Sequence, residues 1–442
     1  MSLFKSKSAG QNGGSAVSAR SGIVTVLDVG STKISCVIAR LKPREETAVL
    51  PGRTHHVEVL GIGHQRSRGV KSGVIVDLDA AEQSIRLAVD SAERMAGVTV
   101  ESLIVNMSSG RLKSENFSAG INLGGHEVDD SDINRVLGAG AKQSMAVERQ
   151  VVHSLPVSFT LDAERGIADP RGMFGEHLGV DMHVLTADAA PLRNLELCIN
   201  RAHLNVEMIV ATPYASGLAA LVEDEAQMGA ACIDIGGGTT TIAIFNENKF
   251  IYADAIAVGG NHITMDIARG LSTRLDEAER LKVKQGSALP SAADERDMLS
   301  VMPIGEDEGE APNQISRSVL TRIIRARVEE TLEIVRDRLN QSGYGQAVGK
   351  RIVLTGGGSQ LQGMAEVARR ILARNVRVGR PLGVQGLPEA ARGPAFSATA
   401  GLLIYPQVAE FEISAARYSA RQKMTGTGGR IARMGNWLRE SL

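Results

Sequence analysis

Two short segments, 206 positions apart, follow one grammar, and that repetition limits the fold of this 442-residue chain more than any other feature. In VTVLDVGSTKISCVIAR an apolar run ends at Asp28, a Gly/Ser/Thr turn follows, and a second β-rich run begins at Ile34. AACIDIGGGTTTIAIFN repeats the arrangement around Asp234. β-branched runs on either side of a glycine turn predict strand, tight loop and strand. A supersecondary unit that recurs predicts two related halves. A third glycine cluster, RIVLTGGGSQLQGMAEVARRIL, differs because its turn leads into a helix, with Leu361, Met364, Ala368, Ile371 and Leu372 at helical spacing.

Glycine turns of this kind present backbone N–H groups that approach a phosphate without side-chain clash. Rossmann and P-loop motifs place their glycines directly before a helix, so neither fits loops that run into strands. Two such hairpins facing one another would clamp a triphosphate. The candidate residues are Gly30, Ser31, Thr32 and Lys33 in the first loop, and Asp234, Gly236, Gly237, Gly238, Thr239 and Thr240 in the second. Lys33 would neutralise phosphate charge, and Asp28 with Asp234 would hold a magnesium ion, mostly through its waters. Each loop taken alone also fits an ordinary hairpin turn; three glycine clusters in this order favour the phosphate reading.

With 43% hydrophobic and 22% charged residues, the chain has a globular composition, and its length predicts about three folding units. DLDAAEQSIRLAVDSAERMAG predicts a helix in which Asp79 and Glu82 resemble a capping box, Ile85, Ala88, Val89, Ala92 and Met95 share a face, and Gly97 is the stop. The β-rich runs SLIVNMS, FSAGINL and RQVVHSLPVSFTL predict a compact α+β insertion over about 81–181. A second insertion follows Gly260, where helical LDEAERLKVKQG and VLTRIIRARVEETLEIVRDRL flank the acidic loop PIGEDEGEAPNQ. Cys36, Cys198 and Cys232 are far apart and form no C-x-x-C pair, which argues against a disulfide framework or a cysteine zinc site and fits a reducing compartment. His55 and His56, adjacent on a strand, point to opposite faces and share no metal. Residues 1–21 read as a flexible leader without the apolar core of an export signal. The longest apolar region, near IVATPYASGLAALV, is broken by Pro213 and too short to span a bilayer, so membrane contact would be peripheral. The formal charge of −1 conceals an acidic middle of −9 between basic ends: residues 1–21 carry three cations and no acid, and residues 413–442 carry six cations against Glu440 alone.

DVGSTK, DIGGGTT and TGGGS together resemble the actin/Hsp70/sugar-kinase ATPase superfamily. That resemblance implies an α/β, actin-like two-lobed fold with duplicated ribonuclease-H-like cores, binding ATP and magnesium, with Gly356, Gly357 and Gly358 near the adenosine. AERLKVKQG resembles the superfamily segment in which a Glu and a Lys contact the nucleoside, which nominates Glu279 and Lys282. The same spacing equally fits an i,i+3 ion pair on a solvated helix, worth about 0.2–0.5 kcal/mol.

Longer stretches, RGVKSGVIVDLDAAEQSI, CIDIGGGTTTIAIF, RIVLTGGGSQLQGM, SATAGLLIY and GRIARMGNWLRESL, resemble the FtsA family of bacterial cell-division proteins from residue 22 to the end. The implied division is a disordered leader 1–21, a first actin-like lobe 22–80 plus 182–228 (subdomain 1A), and an inserted subdomain 1C at 81–181. A second lobe 229–259 plus 346–406 (subdomain 2A) follows, its last helix returning to 1A, with subdomain 2B at 260–345, a linker 407–428 and a membrane-targeting amphipathic helix 429–442. Such a protein would polymerise and tether the FtsZ ring to the cytoplasmic face of the inner membrane at the septum, recruiting later division proteins. Arg317 and Arg327 match basic positions that receive the FtsZ C-terminal peptide; their alternation, with Arg325, among Leu320, Ile323 and Ile324 also fits a solvated helical face. A rod-shape or pilus-assembly scaffold of the same superfamily is the alternative, and a sugar kinase a more distant one. A chaperone would need a substrate-binding domain where only a short segment remains, and no basic, aromatic-studded face points to nucleic acid. Hydrolytic relatives carry a Glu before the Pro of the connecting segment. Here ATPYASGLAA has Thr212, which does not replace a carboxylate as general base, so a weak ATPase at most is expected, with the nucleotide mainly a conformational ligand.

On a helical wheel Ile431, Met434, Leu438 and Leu442 share a narrow arc with Trp437 at its edge, while Arg433, Asn436, Arg439 and Glu440 lie opposite and Arg430 stands where its stem would snorkel. So short a helix needs a surface to fold against. Docking onto the chain's own body or a partner would supply one, but the basic linker and the single tryptophan favour an anionic bilayer interface. Each Leu- or Ile-sized side chain buried there contributes about 1.5–3 kcal/mol and each Arg about 1 kcal/mol, which makes a reversible anchor that a filament would strengthen by avidity. Trp437→Glu combined with Leu438→Glu is predicted to release the protein from anionic liposomes with ATP binding intact; unchanged flotation of the double variant would refute the assignment.

Overall fold

The computed structural model describes residues 22–43, 53–109, 111–143, 149–304 and 312–409. The expected leader, most of the linker and the amphipathic helix with Arg430, Ile431, Arg433, Met434, Trp437, Leu438, Arg439 and Leu442 lie outside the described residues.

Strands Ile23–Val29 and Lys33–Pro43 form an antiparallel hairpin that sets Asp28 opposite Ser35 and Val29 opposite Ile34. Ala230–Ile235 and Thr240–Asn246 pair the same way, with Asp234 opposite Thr241 and Ile235 opposite Thr240. Both turns close on the same bond. The Gly30 amide donates to the Lys33 carbonyl at 3.0 Å and the Gly236 amide to the Thr239 carbonyl at 2.8 Å. Each hairpin gains a third antiparallel strand, His55–Arg66 in one sheet and Lys249–Ile256 in the other. On its opposite side each acquires two parallel strands, Ser102–Met107 then Asn205–Ala211, or Arg351–Thr355 then Asn375–Val378. Val384–Gln385 extends the first sheet at its outer edge. The two sheets therefore share one strand order, and the α/β fold with duplicated cores follows the repeated loop.

The start of the expected 81–181 insertion packs with the first sheet, and the separate sheet runs past 181 to Asp188. Leu78–Ala96 is a helix whose Ala81, Ile85, Ala88 and Ala92 join the core of the first sheet, and Ser102–Met107 is a strand of that sheet. What stands apart is an antiparallel sheet of Lys113–Asn122, His177–Asp188, Arg149–Leu161 and Glu164–Ile167, with the helix Asp130–Gln143 and an apolar core of its own. An apolar run such as SLIVNM is buried in either sheet, so pattern alone does not assign it. The inserted sheet is fastened to the second lobe by a chain of hydrogen bonds. The Ala253 amide donates to Ser114 Oγ at 2.9 Å, Ser114 Oγ lies 2.6 Å from His183 Nε2, and His183 Nδ1 lies 2.9 Å from the Phe250 carbonyl. Burial pushes His183 down to about 4, so the ring is neutral and this order of donors is satisfied.

The helix Leu78–Ala96 starts at Asp77 rather than through an Asp79/Glu82 box: the Asp77 carboxylate accepts from the amides of Asp79 and Ala80, both at 3.1 Å. Glu82 instead pairs with Arg86 and Arg201. Met95, expected on the buried face, is 58% exposed because the apolar stripe ends at Ala92, while Gly97 ends the helix at φ 69° as expected.

Two helices buried all round, Thr212–Ala220 and Ser397–Ile404, cross between the lobes. Tyr214, Ala215, Leu402 and Leu403 share a core with Val26 and Val37 of one sheet and Cys232 and Val353 of the other. Glycine is required at their crossing: a Cβ on Gly401 would stand 1.7 Å from the Ala215 carbonyl oxygen. Beyond the second sheet, the helices Gly260–Gly270, Leu275–Gln285 and Arg317–Gln341 and a ribbon of Met298–Val301 with Asn313–Ser316 cover its open face. Among the described residues no helix is long and apolar enough to cross a membrane.

Candidate functional site

A cavity of about 530 Å³ opens between the lobes, and the three glycine clusters converge on it. Gly30, Ser31, Thr32 and Lys33 line it from the first hairpin, Asp234, Gly236, Gly237, Gly238 and Thr239 from the second, and Gly356, Gly357 and Gly358 from the third cluster. Thr240 is the exception: it is fully buried behind its loop and donates to the Val258 carbonyl at 2.8 Å. The first two loops press against each other, since a Cβ on Gly237 would stand 1.8 Å from Thr32 Oγ1 and one on Gly238 2.5 Å from Ser31 Oγ. Gly356 has φ 80°, and a Cβ there would stand 2.2 Å from Asp234 Oδ1. The third cluster thus brings bare backbone up to the second loop's carboxylate.

Asp28 and Asp234 both line the cavity while being only 6% and 7% exposed. Two distant segments and its own loop serve Asp28. Asn106 Nδ2 donates to Oδ1 at 2.8 Å, Thr399 Oγ1 donates to Oδ2 at 2.7 Å, and Lys33 Nζ lies 3.6 Å from Oδ2. Asn106 also accepts from the Val29 amide at 2.6 Å and donates to Thr212 Oγ1 at 3.1 Å, which fixes the Thr212 side chain. Asp234 accepts from Ser216 Oγ at 2.5 Å, yet burial, with Asp28 nearby, still raises it from 3.8 to about 6. Burial also draws the Lys33 ammonium below its ordinary value against the pull of Asp28, and the ammonium stands 3.7 Å over the Phe396 ring. Two buried carboxylates offer the hard oxygen donors that magnesium takes, with water or phosphate completing its shell. Among the described residues no three His, Cys, Asp or Glu side chains cluster as a metal site, so no all-protein cage exists there.

At the far side of the cavity stand Glu279 and Lys282. They form an ion pair at 2.6 Å and both line the cavity. Thr264 holds them, donating to Glu279 Oε2 at 2.5 Å and accepting from Lys282 Nζ at 2.8 Å, while Lys282 also donates to the Gly260 carbonyl at 3.1 Å. Arg317 and Arg327 lie on the helix Arg317–Gln341, away from the cavity. Arg317 pairs with Asp297 at 3.2 Å and hydrogen-bonds Gln285; Arg327 pairs with Asp266 and Glu330, both at 2.6 Å, and these hydrogen bonds raise its basicity. Asn106, Ser216, Thr264 and Thr399 escaped the sequence reading. The visible trace of Asn106 is one amide in the apolar run SLIVNM; Ser216 and Thr399 sit among alanines and glycines that look like plain helix.

The family model described as "Cell division protein FtsA" matches residues 231–401, and "SHS2 domain inserted in FTSA" matches residues 109–186. The chain is 63% identical to the cell-division protein FtsA of Agrobacterium fabrum, over 96% of each chain. It is 35% identical to that of Pseudomonas aeruginosa, over 87% of this chain and 89% of that one. Among solved structures, the PilM-PilN type IV pilus biogenesis complex is similar in fold, with a TM-score of 0.59 at 16% identity, over 87% of this chain and 98% of that one. MreB5 of Spiroplasma citri bound to ADP has a TM-score of 0.51 at 14% identity, over 87% of this chain and 96% of that one.

The raised Asp234 has a measurable consequence. An acid held above its ordinary value stabilises the fold at low pH and loses that contribution as the pH rises from about 4 to about 6; above that, the buried charge is destabilising. Asp234→Asn, studied without added ligand, is predicted to raise stability at pH 7.5 by about 1–3 kcal/mol and to flatten the pH dependence between 4 and 6. Thermal unfolding across that range checks it; a variant no more stable than the parent at pH 7.5 contradicts it.

Proposed function

The chain belongs to the FtsA family of cell-division proteins, and on that premise we propose that it is an ATP-binding, actin-like protein that polymerises, tethers the FtsZ ring to the cytoplasmic face of the inner membrane at the septum, and recruits later division proteins. Its cell-division role rests on the family itself. The observation that carries the nucleotide reading is the convergence of three glycine clusters and two buried carboxylates on one cavity, whose volume suits a small-molecule ligand.

In this reading the amides of the two hairpin turns and Lys33 hold the phosphates, because bare backbone and one cation are what a polyanion needs at close range. Asp28 and Asp234 hold magnesium mostly through its waters, and the ion supplies charge neutralisation for the phosphates and relief for the buried acids. Gly356, Gly357 and Gly358 admit the adenosine, with Glu279 and Lys282 at the nucleoside. MreB5, a protein of similar fold determined with ADP, supports the assignment. Thr212 stands at the attack position without a carboxylate, and its hydroxyl is engaged by Asn106. Hydrolysis is accordingly slow, and the ligand acts by joining the lobes.

The FtsZ C-terminal peptide, acidic and apolar, would exchange onto Arg317 and Arg327 in competition with their present half-buried ion pairs to Asp297 and Asp266. The tail residues 430–442 would carry the anionic lipid contact. Sedimentation on anionic vesicles with ATP is predicted to bring down the protein together with an FtsZ tail peptide, to lose only the peptide with Arg317→Glu plus Arg327→Glu, and to proceed with ATP turnover far below tens per second. Fast turnover, or peptide capture indifferent to both arginines, contradicts the reading.

A further inference from the structure

Lys33 is the cation of the first glycine loop, and what holds it is only partly ionic. Its Nζ donates to Ser35 Oγ at 3.3 Å and lies 3.6 Å from Asp28 Oδ2. A charge-assisted hydrogen bond closes to about 2.7–2.9 Å, so this ion pair is a loose one. The reason lies on both sides of it. Thr399 Oγ1 already donates to the same Asp28 oxygen at 2.7 Å. On the other side the ammonium stands 3.7 Å from the centroid of the Phe396 ring. That ring is 9% exposed and packs with Leu387 and Ala391 against Val59 and Ile62 of the first lobe. A cation over an aromatic face is drawn by the ring's quadrupole, and more strongly where water is kept away.

The turn that carries the ring touches the second lobe as well. Pro394–Phe396 is one turn of 3-10 helix leading into the helix Ser397–Ile404. The Pro394 carbonyl accepts from the Gly356 amide at 3.1 Å and from Thr355 Oγ1 at 3.2 Å. Ala395, the middle residue, lines the cavity. Three consecutive residues therefore grip the third glycine cluster at one end and the cation of the first loop at the other.

We propose that Phe396 is a positioning residue for Lys33: the face of its ring seats the ammonium beside the phosphate loops, neither locked onto Asp28 nor released to solvent. The inference rests on the nucleotide reading of the cavity. A ring face attracts the cation without taking up its N–H donors in strong hydrogen bonds, which leaves them for a phosphate. A closed ion pair with Asp28 would have to be broken first, and would occupy a carboxylate needed by magnesium. Because the same turn is bonded to Gly356, the position of the ammonium is tied to that of the third cluster.

ATP affinity of the full chain in magnesium, measured for the parent, Phe396→Leu, Lys33→Gln and the double variant, tests this as a double-mutant cycle. Phe396→Leu is expected to weaken binding about fivefold to thirtyfold, but less than about twofold where Lys33 is already Gln. Phe396→Tyr keeps the ring face and is expected to stay within about twofold of the parent. If Lys33→Gln weakens binding while Phe396→Leu costs the same in both lysine backgrounds, or nothing in either, the proposal is overturned and the nucleotide reading stands. ATP affinity unchanged by Lys33→Gln removes the phosphate role of the first loop, and the proposal with it. Fluorinated phenylalanines at position 396 keep the ring's packing while draining its face of negative charge, so affinity is expected to fall stepwise with the number of fluorines; affinity indifferent to fluorination also contradicts the assignment.

Discussion

Asp28 and Asp234 stand at equivalent register positions of two equivalent hairpins, and both are almost withdrawn from water. A buried carboxylate left to itself is destabilising by several kcal/mol, so the chain must supply what water would have given. It does so from a distance: Asn106 and Thr399 for Asp28, Ser216 for Asp234. Asn106 comes from the strand paired beside Asp28, while Ser216 and Thr399 lie on the helices Thr212–Ala220 and Ser397–Ile404, which cross at backbone contact through Gly401. Packing between the lobes and polar support of the site are thus one arrangement. The support is incomplete for Asp234, which burial still raises to about 6.

The glycine clusters were legible because their requirement is local. A turn that presses its backbone on another loop tolerates no Cβ, and an acid at a strand end beside it has few other uses. The donors to the acids were not legible, because an asparagine in a strand and a serine or threonine in an alanine-rich helix acquire their meaning only when segments 18, 78 and 371 residues apart are brought together. The same limit explains the inserted subdomain. Its core pattern was visible in FSAGINL and RQVVHSLPVSFTL, whereas the helix Leu78–Ala96 and the strand Ser102–Met107 carry periodicities that fit either sheet, and only pairing with Ile23–Val29 assigns them. Asp77 displaced Asp79 as the helix cap for an equally local reason, an extended backbone at φ −142° that aims its carboxylate at the first free amides.

Glu279 and Lys282 form an i,i+3 pair and also face the cavity, with Thr264 fixing both. Arg317 and Arg327 already have carboxylate partners at their surface, so any acidic peptide there competes with internal ion pairs, which favours a weak, exchangeable contact over a permanent one. The charge distribution is an acidic middle of the chain between two basic ends.

The claim on which the account turns is that the two buried acids and the glycine loops form one magnesium and triphosphate site. Equilibrium titration of ATP into the intact protein, with magnesium and with a chelator, and repeated on Asp28→Asn, tests it most directly. The account predicts tight binding that weakens at least about tenfold, or about 1.4 kcal/mol, when either the metal or the Asp28 carboxylate is removed, with little further loss when both are. ATP affinity that ignores both magnesium and Asp28 would contradict it.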